Sequence, residues 1–251
     1  MNTDFSSVCD EFYVSCRLFL KLDLALERET ALHFFDRVRK EFPGMQKFRR
    51  RDDGCLVLEE EPKDGPSRRW IRLEPNSLRF GHYAPGEIDD VRRLAAVILE
   101  HAPYHLTFSE LDYDHLEVVY GFDLEYRGNH DQLLAETLLS DHPLGQFLLG
   151  DDSSHAIDAQ PYLGIALTPG CDLQAYIETK SRTSSYEVRT GEYEMAPLSV
   201  FLTLRKYWLV GQDAALTDMA AKLFDRANEL AAGKVVPLLV NPLALAIASR
   251  L

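Results

Sequence analysis

Short runs of alternating apolar and polar residues punctuate this chain. Between them lie longer runs whose apolar residues return every third or fourth position, so strand and helix periods take turns. Phe12 to Asp23 alternates loosely and is rich in aromatic and β-favouring residues, which predicts a strand. Ala31, Phe34, Phe35, Val38 and Phe42 form one apolar face of a helix from about Glu27 to Phe42, closed by Pro43-Gly44. Four extended pieces follow. Met45 to Arg51 and Cys55 to Glu61 flank Asp53-Gly54, which suits a two-residue primed turn, and Arg68 to Glu74 and Leu78 to Tyr83 flank Pro75-Asn76. Ile88, Val91, Leu94, Ala95, Ile98 and Leu99 then mark a helix from Gly86 to Ala102, with Pro103 expected to end it.

The second half reads in the same order. His115 to Tyr126 is a strand, and Asn129 caps a helix from about His130 to Leu139. After an irregular stretch from Ser140 to Gln160, Tyr162 to Leu167 and Asp172 to Thr179 flank Thr168-Pro169-Gly170-Cys171, placed for a type II turn. Tyr186 to Thr190 and Leu198 to Trp208 supply two further strands. A regular apolar face from Leu216 to Leu230 marks a helix that Gly233 closes. Asn241-Pro242 then opens a short apolar helix, Leu243 to Ala248, read as a lid on the core or a homodimer contact. The expected fold class is therefore α+β. Two repeats of β-α-β4-α order, residues 1–113 and 114–233, form a curved, mainly antiparallel sheet with helices on one side, and a tail follows over 234–251.

That tandem order resembles the topology of the TATA-box-binding protein family. The resemblance covers the order of elements and no motif residue, so it implies a saddle-shaped sheet and no functional residue. Charge separates the two further. The chain carries a net charge of −13 with 40 acidic against 27 basic residues, which disfavours nucleic acid and anionic membrane as partners.

Cys9, Cys16, Cys55 and Cys171 make no C-x-x-C pair or zinc-finger spacing, which points to a reducing, cytoplasmic setting. The first residues lack a signal-peptide pattern. The most apolar stretch, Val235 to Ala248, holds Pro237 and Pro242, so no membrane span is expected.

Three places hold candidate chemistry. Arg68, Trp70 and Arg72 alternate on one predicted strand, so they share a face suited to an anion or a planar ligand. They belong to an arginine-rich region with Lys47, Arg49, Arg50, Arg51, Arg69 and Arg79. The plainer reading there is cross-strand pairing with Asp52, Asp53, Glu59, Glu60, Glu61, Asp64 and Glu74. Asp151, Asp152, His155 and Asp158 concentrate metal-ligand types in one loop, although their spacing matches no known metal loop and a solvated acidic loop is the simpler account. Asp112 and Asp114 stand beside His115, where a carboxylate orients an imidazole for acid or base work, again with a structural role as the plainer account. His101 and His105 are four apart, but Pro103 between them is expected to break their common face.

Nucleotide, dinucleotide, serine-hydrolase and zinc-protease motifs are absent from the sequence. The function expected is a non-enzymatic binding or interaction protein that uses a concave sheet surface for a protein partner or a small ligand, with no cofactor. Its acidity also suits a chaperone of basic clients. The alternative is an enzyme with His and Asp groups between the halves, with or without a metal.

Overall fold

The computed structural model describes residues 5–24, 27–61, 65–150, 154–209, 211 and 215–250. Its class is α+β: one curved antiparallel sheet of nine strands, in the order β2-β3-β4-β5-β1-β6-β9-β8-β7, with helices. The strands are β1 (Glu11–Leu20), β2 (Met45–Arg50), β3 (Leu56–Glu60), β4 (Arg68–Glu74), β5 (Ser77–Tyr83), β6 (Tyr113–Tyr126), β7 (Tyr162–Ala166), β8 (Leu173–Lys180) and β9 (Ala196–Tyr207). The helices are α1 (Arg28–Glu41), α2 (Ile88–Leu106), α3 (His130–Leu138), α4 (Gly145–Leu149), α5 (Ser185–Thr190), α6 (Leu216–Leu230) and α7 (Asn241–Ala248). The seam between the first and second halves is the antiparallel pair β1–β6, in register from Glu11↔Asp123 to Leu18↔Leu116, so the sheet is continuous.

Alternation along each strand assigns the two faces. Phe12, Val14, Cys16 and Leu18 of β1, Leu78 and Phe80 of β5, Leu116 to Phe122 at every second position of β6, and Leu198 to Leu204 likewise on β9 point into one core. Phe34, Phe35 and Val38 of α1, Val91, Leu94 and Ile98 of α2, and Leu223, Phe224 and Ala227 of α6 close it from outside. The opposite face of the sheet contributes no residue to this core.

Several expected boundaries move. Tyr186 to Thr190 is helix rather than strand, because Ser184 and Glu187 close a capping box that starts α5. The second half thus has three strands after its first helix, not four. The Asp53-Gly54 loop has three residues between the Arg51–Cys55 pair: Gly54 N–H donates to Arg51 C=O, and Gly54 takes φ +85°. In the Thr168–Cys171 turn the positive φ falls on Cys171 (56°) and not on Gly170, so the turn is not type II.

Pro103 does not end α2, which runs on to a left-handed cap at Thr107 with φ 56°. Ala102 and Leu106, both buried, anchor this last turn in the core. Nor does Gly233 end α6. The helix continues through ten π-helical residues, Ala231–Val240, around Pro237 and directly into α7. Wider π turns shift the carbonyl a proline ring would strike, which is how the helix absorbs Pro237. By length and composition alone, the resulting helix Leu216–Ala248 is long and apolar enough to cross a membrane. In this fold its buried side, including Leu223, Val235, Val240, Leu243 and Ile247, belongs to the core.

Candidate functional site, the open face of the sheet

Cross-strand registers line up the open face into transverse rows. One row runs Arg49 (β2), Val57 (β3), Arg72 (β4), Arg79 (β5), Arg17 (β1), Glu117 (β6), Arg205 (β9) and Gln174 (β8). Arg72, Arg79 and Arg17 occupy three successive strands directly opposite one another. The next row places Trp70 beside Gly81, followed by Ser15, Val119, Thr203 and Tyr176. A third row holds Arg68, Tyr83, Tyr13, Gly121 and Phe201. Gly81 is required here: a Cβ would lie 2.6 Å from the Val14 carbonyl oxygen and 2.8 Å from the Trp70 ring, so its absence lets the indole lie flat on the sheet.

Carboxylates answer only part of the positive charge. Glu74 serves both Arg17 (2.5 Å) and Arg72 (3.5 Å), and Glu59 serves both Arg49 (3.0 Å) and Lys47 (3.6 Å). Arg69 points to the helix face and pairs with Glu60 at 2.9 Å. Arg68 lies over Tyr83 (5.0 Å) and Arg79 over Trp70 (5.5 Å), and among the described residues no ion pair or hydrogen bond reaches either guanidinium. Burial, then the charge of Arg17, holds the Arg79 pKa below its ordinary value. Cross-strand pairing therefore accounts for Lys47 and Arg49, and Arg72 is met by Glu74 of its own strand; Arg68 and Arg79 are left, and the Asp64 expected to take part lies outside the described residues. A cavity of about 140 Å³ opens between these groups, lined by Arg49, Arg51, Val57, Glu59, Arg68, Trp70, Arg72, Arg79 and Tyr83.

The structure thus brings the three expected ligand-binding residues, Arg68, Trp70 and Arg72, into one cavity. Arg79 belongs to the arginine-rich region of the sequence but not to the predicted face shared by Arg68, Trp70 and Arg72. The two-residue Pro75-Asn76 connection pairs Glu74 with Ser77 and hence Arg72 with Arg79, a register that was legible. Arg17 and Arg205 carried no such signal, because their neighbours come from distant strands.

His115 lies on the same face at the β1–β6 seam, stacked on Phe19 with ring centroids 4.1 Å apart. Its Nδ1 is 2.8 Å from Asp114, and its Nε2, buried without a hydrogen bond, is 3.6 Å from Glu117. Burial pushes Glu117 up, but the nearby His115 ring and the hydrogen-bonded Arg205 guanidinium outweigh it and hold the carboxyl below its ordinary value. Asp112 is not part of this cluster: it accepts from the Ser109 N–H and hydroxyl in the preceding turn. Among the described residues no Ser, Thr or Cys hydrogen-bonds to His115.

Of the proposed metal loop, Asp151 and Asp152 lie outside the described residues. His155 is exposed, and Asp158 is exposed and accepts from Gln160. Among the described residues no group of three or more His, Cys, Asp or Glu converges to hold a metal. His101 and His105 do share a face, contrary to the expectation from Pro103. Their rings lie 6.3 Å apart, and Arg37 donates to His101 Nε2 at 3.1 Å.

No protein-family model matches this chain, and no curated protein matches it in sequence.

Proposed function

We propose that this protein is a binding module whose ligand or protein partner sits on the open face of the sheet. The observation that carries the reading is the arginine row. Like charges directly opposite on neighbouring strands cost stability, and they persist where a function needs them. Trp70, Tyr83, Tyr13, Phe201 and Tyr176 add flat, partly exposed rings to the same surface. The local charge favours an anionic group there over the basic clients that the net charge of −13 suggests. The enzymatic alternative would rest on His115 between Asp114 and Glu117, which lacks a hydrogen-bonded nucleophile among the described residues.

A photo-crosslinking residue, p-benzoylphenylalanine, placed at Thr203 on the open face should give discrete adducts in cells, read by intact-protein mass. The same residue at exposed Glu100 on α2 should not. Absence of an adduct at Thr203, or the same adducts from both positions, would remove the surface from consideration.

We also read the two halves as a topological repeat of the TATA-box-binding kind, giving a concave surface. In support, the strand order runs outward from the β1–β6 seam as β5-β4-β3-β2 on one side and β9-β8-β7 on the other. Among the described residues no strand lies beside β7 in the position that would match β2. We propose that a second copy of this chain fills it. Every residue of β7 is exposed and none is charged, so it is a surface on which two strongly acidic copies can meet without repulsion.

A further inference from the structure

We infer that the cavity beside Trp70 is an oxyanion site, built for a carboxylate or phosphoryl group, with Arg79 as its central donor. The inference rests on the open face being the ligand surface, and it names the chemistry of what binds there.

Neighbouring strands lie about 4.8 Å apart, so Arg72, Arg79 and Arg17 hold three positive charges on adjacent rungs of the sheet. A structural network would place a carboxylate between them. Instead Glu74 pairs with the two outer arginines, and among the described residues the middle one lies over an aromatic face and makes no ion pair. Glu59, the one carboxylate on the cavity wall among the described residues, is taken by Lys47 and Arg49. Arg72 Nε is itself buried without a hydrogen-bond partner. Two guanidinium groups that pair with no acceptor among the described residues, Arg68 and Arg79, therefore line a space of about 140 Å³. A guanidinium with no carboxylate beside it is open to an anion, and its fork matches the two oxygens of a carboxylate or phosphoryl group. The cavity admits one such group and not a polyanion. The body of the ligand would then lie along Trp70 and Tyr83, whose rings form the remaining wall.

The test is titration of the full chain with inorganic phosphate, phenyl phosphate and benzoate at constant ionic strength, followed by the Nε–Hε signals of arginine and the indole N–H of Trp70. The expected result is a saturable shift of the Arg72, Arg79 and Trp70 signals with at least one probe. A response to both phosphates identifies a phosphoryl site, and a response to benzoate alone a carboxylate site. Arg79→Gln should weaken that binding by about tenfold or more, and it should melt no lower than the parent because it removes a like-charge neighbour. If Arg79→Gln does not fold, Arg72→Gln serves, with the same loss expected. No saturable shift with any probe, or unchanged affinity in a folded variant, overturns the inference. The crosslinking experiment separates the two failures. Adducts at Thr203 with no oxyanion response leave the surface standing and remove the oxyanion, whereas failure of both removes the surface as well.

Discussion

His82, on the core face of β5, shows how one side chain ties this fold to pH. It is fully buried, with its Nε2 2.8 Å from the Ser67 hydroxyl and its Nδ1 without a partner. Burial, and then the charge of Arg69, push its pKa down to about 4. The folded value lies below the unfolded one of about 6.5, so between those limits the unfolded chain binds the extra proton. The contribution is therefore complete above pH 6.5, falls as pH drops, and is lost near pH 4, amounting to about 3 kcal/mol. Urea unfolding at pH 7.5 and pH 4.5 should register this loss, and His82→Gln should make it smaller by at least about 1 kcal/mol. An unchanged pH dependence in the variant would assign the loss to other groups. The position was legible, since His82 continues the alternation of Leu78 and Phe80. Its partner Ser67 lies two residues before Arg69, which the β4–β5 hairpin register sets opposite His82.

At the scale of elements, α5 is the clearest case of local chemistry overriding a pattern. Tyr186 to Thr190 is too short for periodicity to decide between strand and helix. The decision is made by Ser184 and Glu187: the Ser184 hydroxyl accepts from the Glu187 N–H at 3.3 Å, and the Glu187 carboxylate accepts from the Ser184 N–H at 2.8 Å. The bonds the carboxylate accepts from the Ser184 N–H and hydroxyl also draw the Glu187 pKa below its ordinary value. Ser184→Ala should cost this helix about 1 kcal/mol, read as roughly fivefold faster amide exchange over residues 185–190 with little change in global unfolding. Equal exchange in the variant would show that the cap does not hold the helix. The S-x-x-E spacing was present in the sequence, so this element could have been read from it. The helix through Pro103 could not, because what carries it past the proline is the burial of Ala102 and Leu106 in the core.

For the whole molecule, the sheet has two unlike edges. β2 presents Lys47, Arg49 and Arg50, charges that discourage a further strand, whereas β7 presents Tyr162, Leu163, Gly164, Ile165 and Ala166. Beside β7 a mostly apolar cavity of about 180 Å³ is lined by Leu163, Ile165, Ala175, Ile177, Leu202, Leu230 and Val235, with Lys234 the one charged residue among the described ones. Two-fold antiparallel pairing through Gly164 would set Leu163 opposite Ile165 of the second copy and close both cavities. Sedimentation should report a dimer, and Ile165→Lys should convert it to a monomer that unfolds at a similar denaturant concentration. A parent that sediments as a monomer at all concentrations ends this proposal.

Read by itself, the sequence determined the α+β class, most strands and helices, the core face of each and the shared face of Arg68, Trp70 and Arg72. These follow from periods of two and three to four residues and from turn chemistry, all of them local. Only the tertiary structure decided that β1 and β6 join the halves into one sheet, that Arg17 and Arg205 fall into row with Arg72 and Arg79, and that Asp114 rather than Asp112 holds His115. Register between distant strands depends on which apolar faces are buried together, and no short stretch of chain carries that information.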